Sequence, residues 1–148
     1  MKKFVLNTWV LANCLHPIMF VMLLVILNLI SPDPDGFSPD MIFLTVAAFS
    51  TGAMVLSIPC LWLSWCLTPE IVRSSKSLLT RFFIYLISGI AMVGLYGTIF
   101  WFFLPSDAGV FAMFIPAFAA TIAAVCIRFR TFIEMAVEYD DSREGETK

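Results

Sequence analysis

Asn13, Cys14 and His16, and farther along the chain Ser57, Cys60 and Ser64, are the residues whose types and spacing can do chemistry within otherwise apolar runs. Imidazole carries protons and binds metals, thiolate binds metals and attacks electrophiles, and amides and hydroxyls exchange hydrogen bonds. Two arrangements follow. His16 with Cys14 or Cys60 would supply imidazole and thiolate to a metal. Alternatively Asn13, His16, Ser57, Cys60 and Ser64 would form a polar path or an interhelical hydrogen-bond cluster. On helices rising about 1.5 Å per residue, Cys14 and His16 stand near the depth of Cys60. The blander arrangement carries the expectation: neutral His16 bonds across helices, Pro17 bends its own span, and the cysteines act as small hydrophobes. No catalytic residue, metal or cofactor is assigned.

What is missing narrows the function. Ionisable groups within a bilayer are costly and are functional candidates by default, yet apart from His16 the apolar runs contain none. Small multidrug transporters rely on a carboxylate in their first span, and this first run has none. Lipoprotein signal peptidases need a pair of catalytic Asp residues; here Asp40 and Asp107 stand at helix starts, where capping explains them. A single His cannot give bis-histidine haem ligation. The four Cys contain no C-x-x-C pair, which excludes zinc-ribbon and thioredoxin-type motifs. All four are also expected in the cytoplasmic half of their spans, unlike the outward-facing pairs of quinone-linked disulfide-forming proteins.

The elements that hold these residues are apolar runs. The chain has 148 residues, 60% of them hydrophobic and 14% charged, whereas soluble domains carry roughly 25% charged residues. Runs at 4–30, 41–67, 82–104 and 110–127 each approach or exceed the roughly 20 residues that cross a hydrocarbon core, and in lipid such runs must be helical. Met1-Lys2-Lys3 resembles the start of a signal peptide, and Leu11-Ala12-Asn13-Cys14 brushes against a lipoprotein cleavage box. The apolar run continues to Ile30, so the segment reads as a retained first span. Ser31-Pro32-Asp33-Pro34-Asp35-Gly36 is a breaker. Ser38-Pro39-Asp40 then opens a helix with a cap, a first-turn proline and a favourable negative charge.

Charge sets the orientation. Lys2, Lys3, Arg73, Lys76, Arg81, Arg128, Arg130, Arg143 and Lys148 fall in the N-terminus, the central loop 68–81 or the C-terminal tail, while the other two loops carry only Asp. Basic loops stay cytoplasmic. The expected fold is an all-α, four-transmembrane-helix bundle in a plasma (bacterial inner) membrane, with both termini inside. A cytoplasmic amphipathic extension covers 128–138: Phe129, Phe132, Ile133, Ala136 and Val137 form its apolar stripe, and Arg130 can pair with Glu134. The acidic tail 139–148 is expected to be disordered.

Small residues at Ser50, Ala53, Ser57, Cys60 and Ser64, at Gly94 and Gly97, and at Ala120 and Ala124 suit close helix packing. The leading functional expectation is a non-enzymatic accessory, regulatory or interaction subunit. It would meet a cytoplasmic or membrane protein partner, or a second copy of itself, through Arg73, Lys76, Arg81, Arg130, Glu134 and Glu138, and it would not bind nucleic acid. A contact between the basic central loop and the acidic tail is expected. A small transporter or channel subunit with a polar path near His16 is second, and a membrane-embedded enzyme third, because acid–base groups are missing from the spans.

Overall fold

The computed structural model describes residues 1–30, 39–74, 76–103 and 108–146. Within them the chain is all helical: α1 Lys2–Ile30, α2 Pro39–Leu56, α3 Ile58–Arg73, α4 Leu78–Phe103, α5 Ala108–Ile127 and α6 Phe129–Glu146. Two helices, α1 and α4, are long and apolar enough to cross a membrane, and up to four spans result if each bent pair, α2 with α3 and α5 with α6, is one span. The expected cap at Ser38 and the expected helix start at Asp107 lie outside the described residues.

Besides Pro39, which opens α2, four prolines sit within the described helices, and they behave differently. Proline has no N–H for the carbonyl four residues back. α1 and α5 run unbroken through Pro17 and Pro116. α3 also continues through Pro69, so the short helical turn expected to open the central loop is the end of α3, which runs as far as Arg73. Burial explains why: Thr68 and Val72 are fully buried on that last turn, and the Thr68 hydroxyl donates to the Ser64 carbonyl at 2.6 Å. Of these four prolines only Pro59 accompanies a break, at Ser57, with a bend of 41° between α2 and α3. The run expected as one straight helix over 41–67 is therefore two.

α1 packs most extensively on α5, α5 on α4, and α1 also on α2 and α3. The small residues of α4 and α5 meet here. A Cβ added at Gly89 would come within 3.3 Å of Thr121 Cγ2, whereas one at Gly52 would meet nothing within 4 Å. Gly89→Leu is expected to destabilise the bundle by about 1–3 kcal/mol through overpacking, and Gly52→Leu to leave it nearly unchanged. Thermal unfolding in detergent of the two variants side by side measures the difference.

The buried core lies at one end, termed basal here, where the start of α1, the end of α3, the start of α4 and one face of α6 meet; a link of residues 74–77 joins α3 to α4 in sequence. Phe4, Val5, Ile71, Val72, Phe82, Tyr85, Val125, Phe132 and Ala136 form one core. Phe132 is fully buried, with ring centroids 5.4 Å from Tyr85 and 5.8 Å from both Phe4 and Phe82. Of the amphipathic stripe of α6, Phe132 and Ala136 are buried in the bundle and Ile133 packs against its core, while Phe129 and Val137 stay exposed. The helix bends 53° from α5 at Arg128, whose guanidinium lies 5.3 Å above the Phe4 ring.

Residues 139–146, read from sequence as disordered, continue α6. The reason is a tertiary contact that composition does not reveal. Arg81, 6% exposed, donates two hydrogen bonds from Nη1 to the Asp140 carboxylate at 2.8 and 3.0 Å, holding that turn of α6 against α4.

Candidate functional site

A cavity of about 140 Å³ lies between α1, the α2–α3 bend, α4 and α5. α1 presents Trp9, Asn13 and His16, which recur at four and three residues and so share one helical face. The bend contributes Ala53 and Ser57, and α3 adds Cys60 and Ser64. α4 and α5 close the far wall with Tyr85, Ser88, Gly89, Met92, Ala117, Ala120 and Thr121. None of the described lining residues carries a formal charge.

Ser57 is the junction. Standing at the break, it adopts helical φ and ψ without capping α3 through its side chain. Its hydroxyl instead donates to the Met54 carbonyl at 2.8 Å. The Trp9 indole N–H reaches across from α1 to Ser57 Oγ at 2.9 Å and the Ser57 carbonyl at 3.2 Å. The bend is therefore tied to the first helix. A double-mutant cycle on Trp9→Phe and Ser57→Ala is expected to give a coupling of only about 0.6 kcal/mol, a size common to interhelical bonds in membranes, because the Ser57 backbone acceptor survives the alanine. Chemical denaturation in mixed micelles reads it.

Two polar atoms on this wall lack a good partner. Asn13 Nδ2 donates to the Trp9 carbonyl at 2.9 Å, but Asn13 Oδ1 has only a 3.4 Å contact from Ser57 Oγ, whose proton is better placed toward Met54. His16 is 6% exposed, and its Nδ1 is buried with no hydrogen-bond partner. Its ring stacks on Phe20 at 6.1 Å, which in turn stacks on Phe49 at 5.5 Å. On the same turn, Pro17 cannot donate to the Asn13 carbonyl. Other polar liners are occupied: Ser88 Oγ donates to the Tyr85 carbonyl at 2.7 Å and Ser64 Oγ contacts Met92 Sδ at 3.7 Å.

All five polar-path residues named from sequence, Asn13, His16, Ser57, Cys60 and Ser64, thus line one cavity. The small-residue stripe of α2 and α3 frames this space instead of closing it. Cys14 does not join them, being exposed on the outer side of α1, and among the described residues no group of three or more His, Cys, Asp or Glu is placed to hold a metal. Sequence reasoning missed Trp9 and the α4 wall. Trp9 was legible as a residue four before Asn13 on the same face; Met92 and Gly89 carried no such signal.

The residues expected to form a partner surface are dispersed. Arg73 faces Glu70 at 3.6 Å on α3 and Lys76 is exposed in the link. Arg130 pairs with Glu134 at 2.8 Å on the open face of α6, where Glu138 is also exposed. Arg81 is buried against Asp140 and does not belong to any exposed surface. The expected contact between basic loop and acidic tail takes the form of that one pair. Arg73 and Lys76 are not its basic partners.

No family model, curated protein or solved structure matches the chain, so no relative supplies a role for these residues.

Proposed function

We propose that the protein is a four-span bundle of a plasma membrane of the bacterial inner type, with both termini and the Ser74–Ser77 link in the cytoplasm, and that it binds or passes a small solute through the cavity around His16. The bent pairs α2–α3 and α5–α6, each contributing one span, support four crossings with α1 and α4. The basic residues at the basal end support that end as the cytoplasmic one. Reporter fusions at Asp35, Ser75 and Lys148 test the orientation; an externally active fusion at Ser75 overturns it.

The single observation that carries the solute reading is the meeting at one cavity of five polar-path residues from α1, α3 and the bend at Ser57. Buried polar groups left without partners are expensive, and a bundle needing only cohesion would close this space with apolar side chains. Vesicles containing the full chain are tested with water, urea, glycerol, K⁺ and Cl⁻. Faster passage of any of these than through protein-free vesicles, slowed by His16→Ala, supports the reading. A whole panel indistinguishable from protein-free vesicles removes it.

The second reading is a non-enzymatic accessory or interaction subunit. It is favoured by the rigid seating of α6, which leaves Arg130, Glu134 and Glu138 facing outward. Deleting 129–148 then loses a co-purifying protein. Detergent pull-downs that give only the bare protein, with and without the segment, count against it.

A further inference from the structure

We propose that the cavity takes up a small uncharged solute bearing hydroxyl or amide groups, in the size class of urea or glycerol. This rests on the solute reading above and names its substrate class. Three features converge on it. No described lining residue is charged, so an ion entering would shed its hydration without a counter-charge, which a low-dielectric site strongly disfavours. Asn13 Oδ1 has only the long 3.4 Å contact from Ser57 Oγ and His16 Nδ1 is buried without a partner; an apolar occupant leaves both so, whereas a hydrogen-bonding one can reach the first directly and the second once the imidazole ring turns toward the cavity.

The chemistry of those two atoms is complementary to alcohols and amides. Asn13 Oδ1 only accepts. His16 Nδ1 in the neutral ring either donates or accepts, according to tautomer. A group that both donates and accepts fits either state. The room is right as well: about 140 Å³ is close to the roughly 150 Å³ of an engineered protein cavity that admits benzene, enough for a molecule of a few heavy atoms. Met92 and the Trp9 ring offer apolar wall to its carbon skeleton.

Cys60 lies on the same wall and reports occupancy. In the full chain carrying Cys14→Ala, Cys66→Ala and Cys126→Ala, alkylation of Cys60 by N-ethylmaleimide is timed by mass spectrometry. Excess urea or glycerol is expected to slow it several-fold, while sucrose, too large to enter, leaves the rate unchanged. Asn13→Ala and His16→Ala are each expected to abolish that protection. If Cys60 does not react, Ala53→Cys in the same background replaces it as the reporter.

Protection by KCl or benzene but not by urea or glycerol overturns the class and leaves the solute reading standing. Protection that survives both Asn13→Ala and His16→Ala overturns the assigned contacts and with them the proposal. No protection by any probe overturns the proposal as well, and the vesicle panel then decides separately whether the solute reading falls with it.

Discussion

Phe132→Ala is expected to release α6 from the bundle and to destabilise the basal end by about 3–5 kcal/mol, the range for emptying a buried aromatic site. The ring touches Phe4, Phe82 and Tyr85, which come from two other helices, so nothing nearby can collapse into the void without moving a helix. The size of the effect depends on what surrounds this end. Between helices in lipid there is no hydrophobic drive, because the tails are as apolar as the side chains. α6 carries Arg130, Glu134, Glu138, Asp141 and Arg143 along its length, and a helix so charged has water as its alternative environment. Burial of Phe132 therefore gains the full apolar transfer. Phe43→Ala, at a position 72% exposed on α2, is the matched control and is expected to change stability little. Limited trypsin digestion at Arg130 and Arg143, with thermal unfolding in detergent, reads both variants. An α6 still fully protected in Phe132→Ala would show that the aromatic core does not hold it.

Asp140→Asn is expected to loosen the same helix by a separate route. Arg81 is a nearly buried cation, its side chain 8% exposed, and Asp140 is its ion-pair partner. Removing one member of a buried pair strands the other, a loss of several kcal/mol when both are enclosed. The Asp140 side chain is 42% exposed, so water compensates in part and the expected loss falls to about 1–2 kcal/mol. Arg81 Nε, already buried without a partner, adds to the sensitivity of the site. Reversing the exposed charges, Arg73→Glu with Lys76→Glu, is expected to leave α6 protected, since the pair that holds it involves neither. Equal digestion rates for the two sets of variants would refute the assignment of the contact to Arg81.

The long helices were legible because an unbroken apolar run in lipid has no alternative to helix; α1 and α4 begin within a few residues of the expected limits. Breaks were not legible. Pro17, Pro59, Pro69 and Pro116 look alike in the sequence, yet only Pro59 accompanies an interruption, because packing around Thr68 and Val72 carries α3 past Pro69. A proline removes a bond, and the neighbours decide whether the helix stops. Charge sorting identified the end at which Arg81 and Asp140 both lie, but not that they meet, since register across helices is set by side-chain fit. Asn13, His16, Ser57, Cys60 and Ser64 were recognisable as polar residues within apolar runs, with His16 near the depth of Cys60. That they border a space and not a closed seam depends on the bend at Ser57, which the sequence marks only by a serine and a proline.

The basal core joins Phe4, near the start of the chain, to Phe132, in a helix made after every other one described. This has a consequence for biogenesis. Contacts between distant segments form late, since a long stretch of chain must be ordered before they are rewarded. The earlier helices can insert as they emerge, but the core that locks them stays open until α6 has been synthesised. A chain stalled before Phe132 would leave Phe4, Phe82 and Tyr85 uncovered, an aromatic surface open to quality-control proteases.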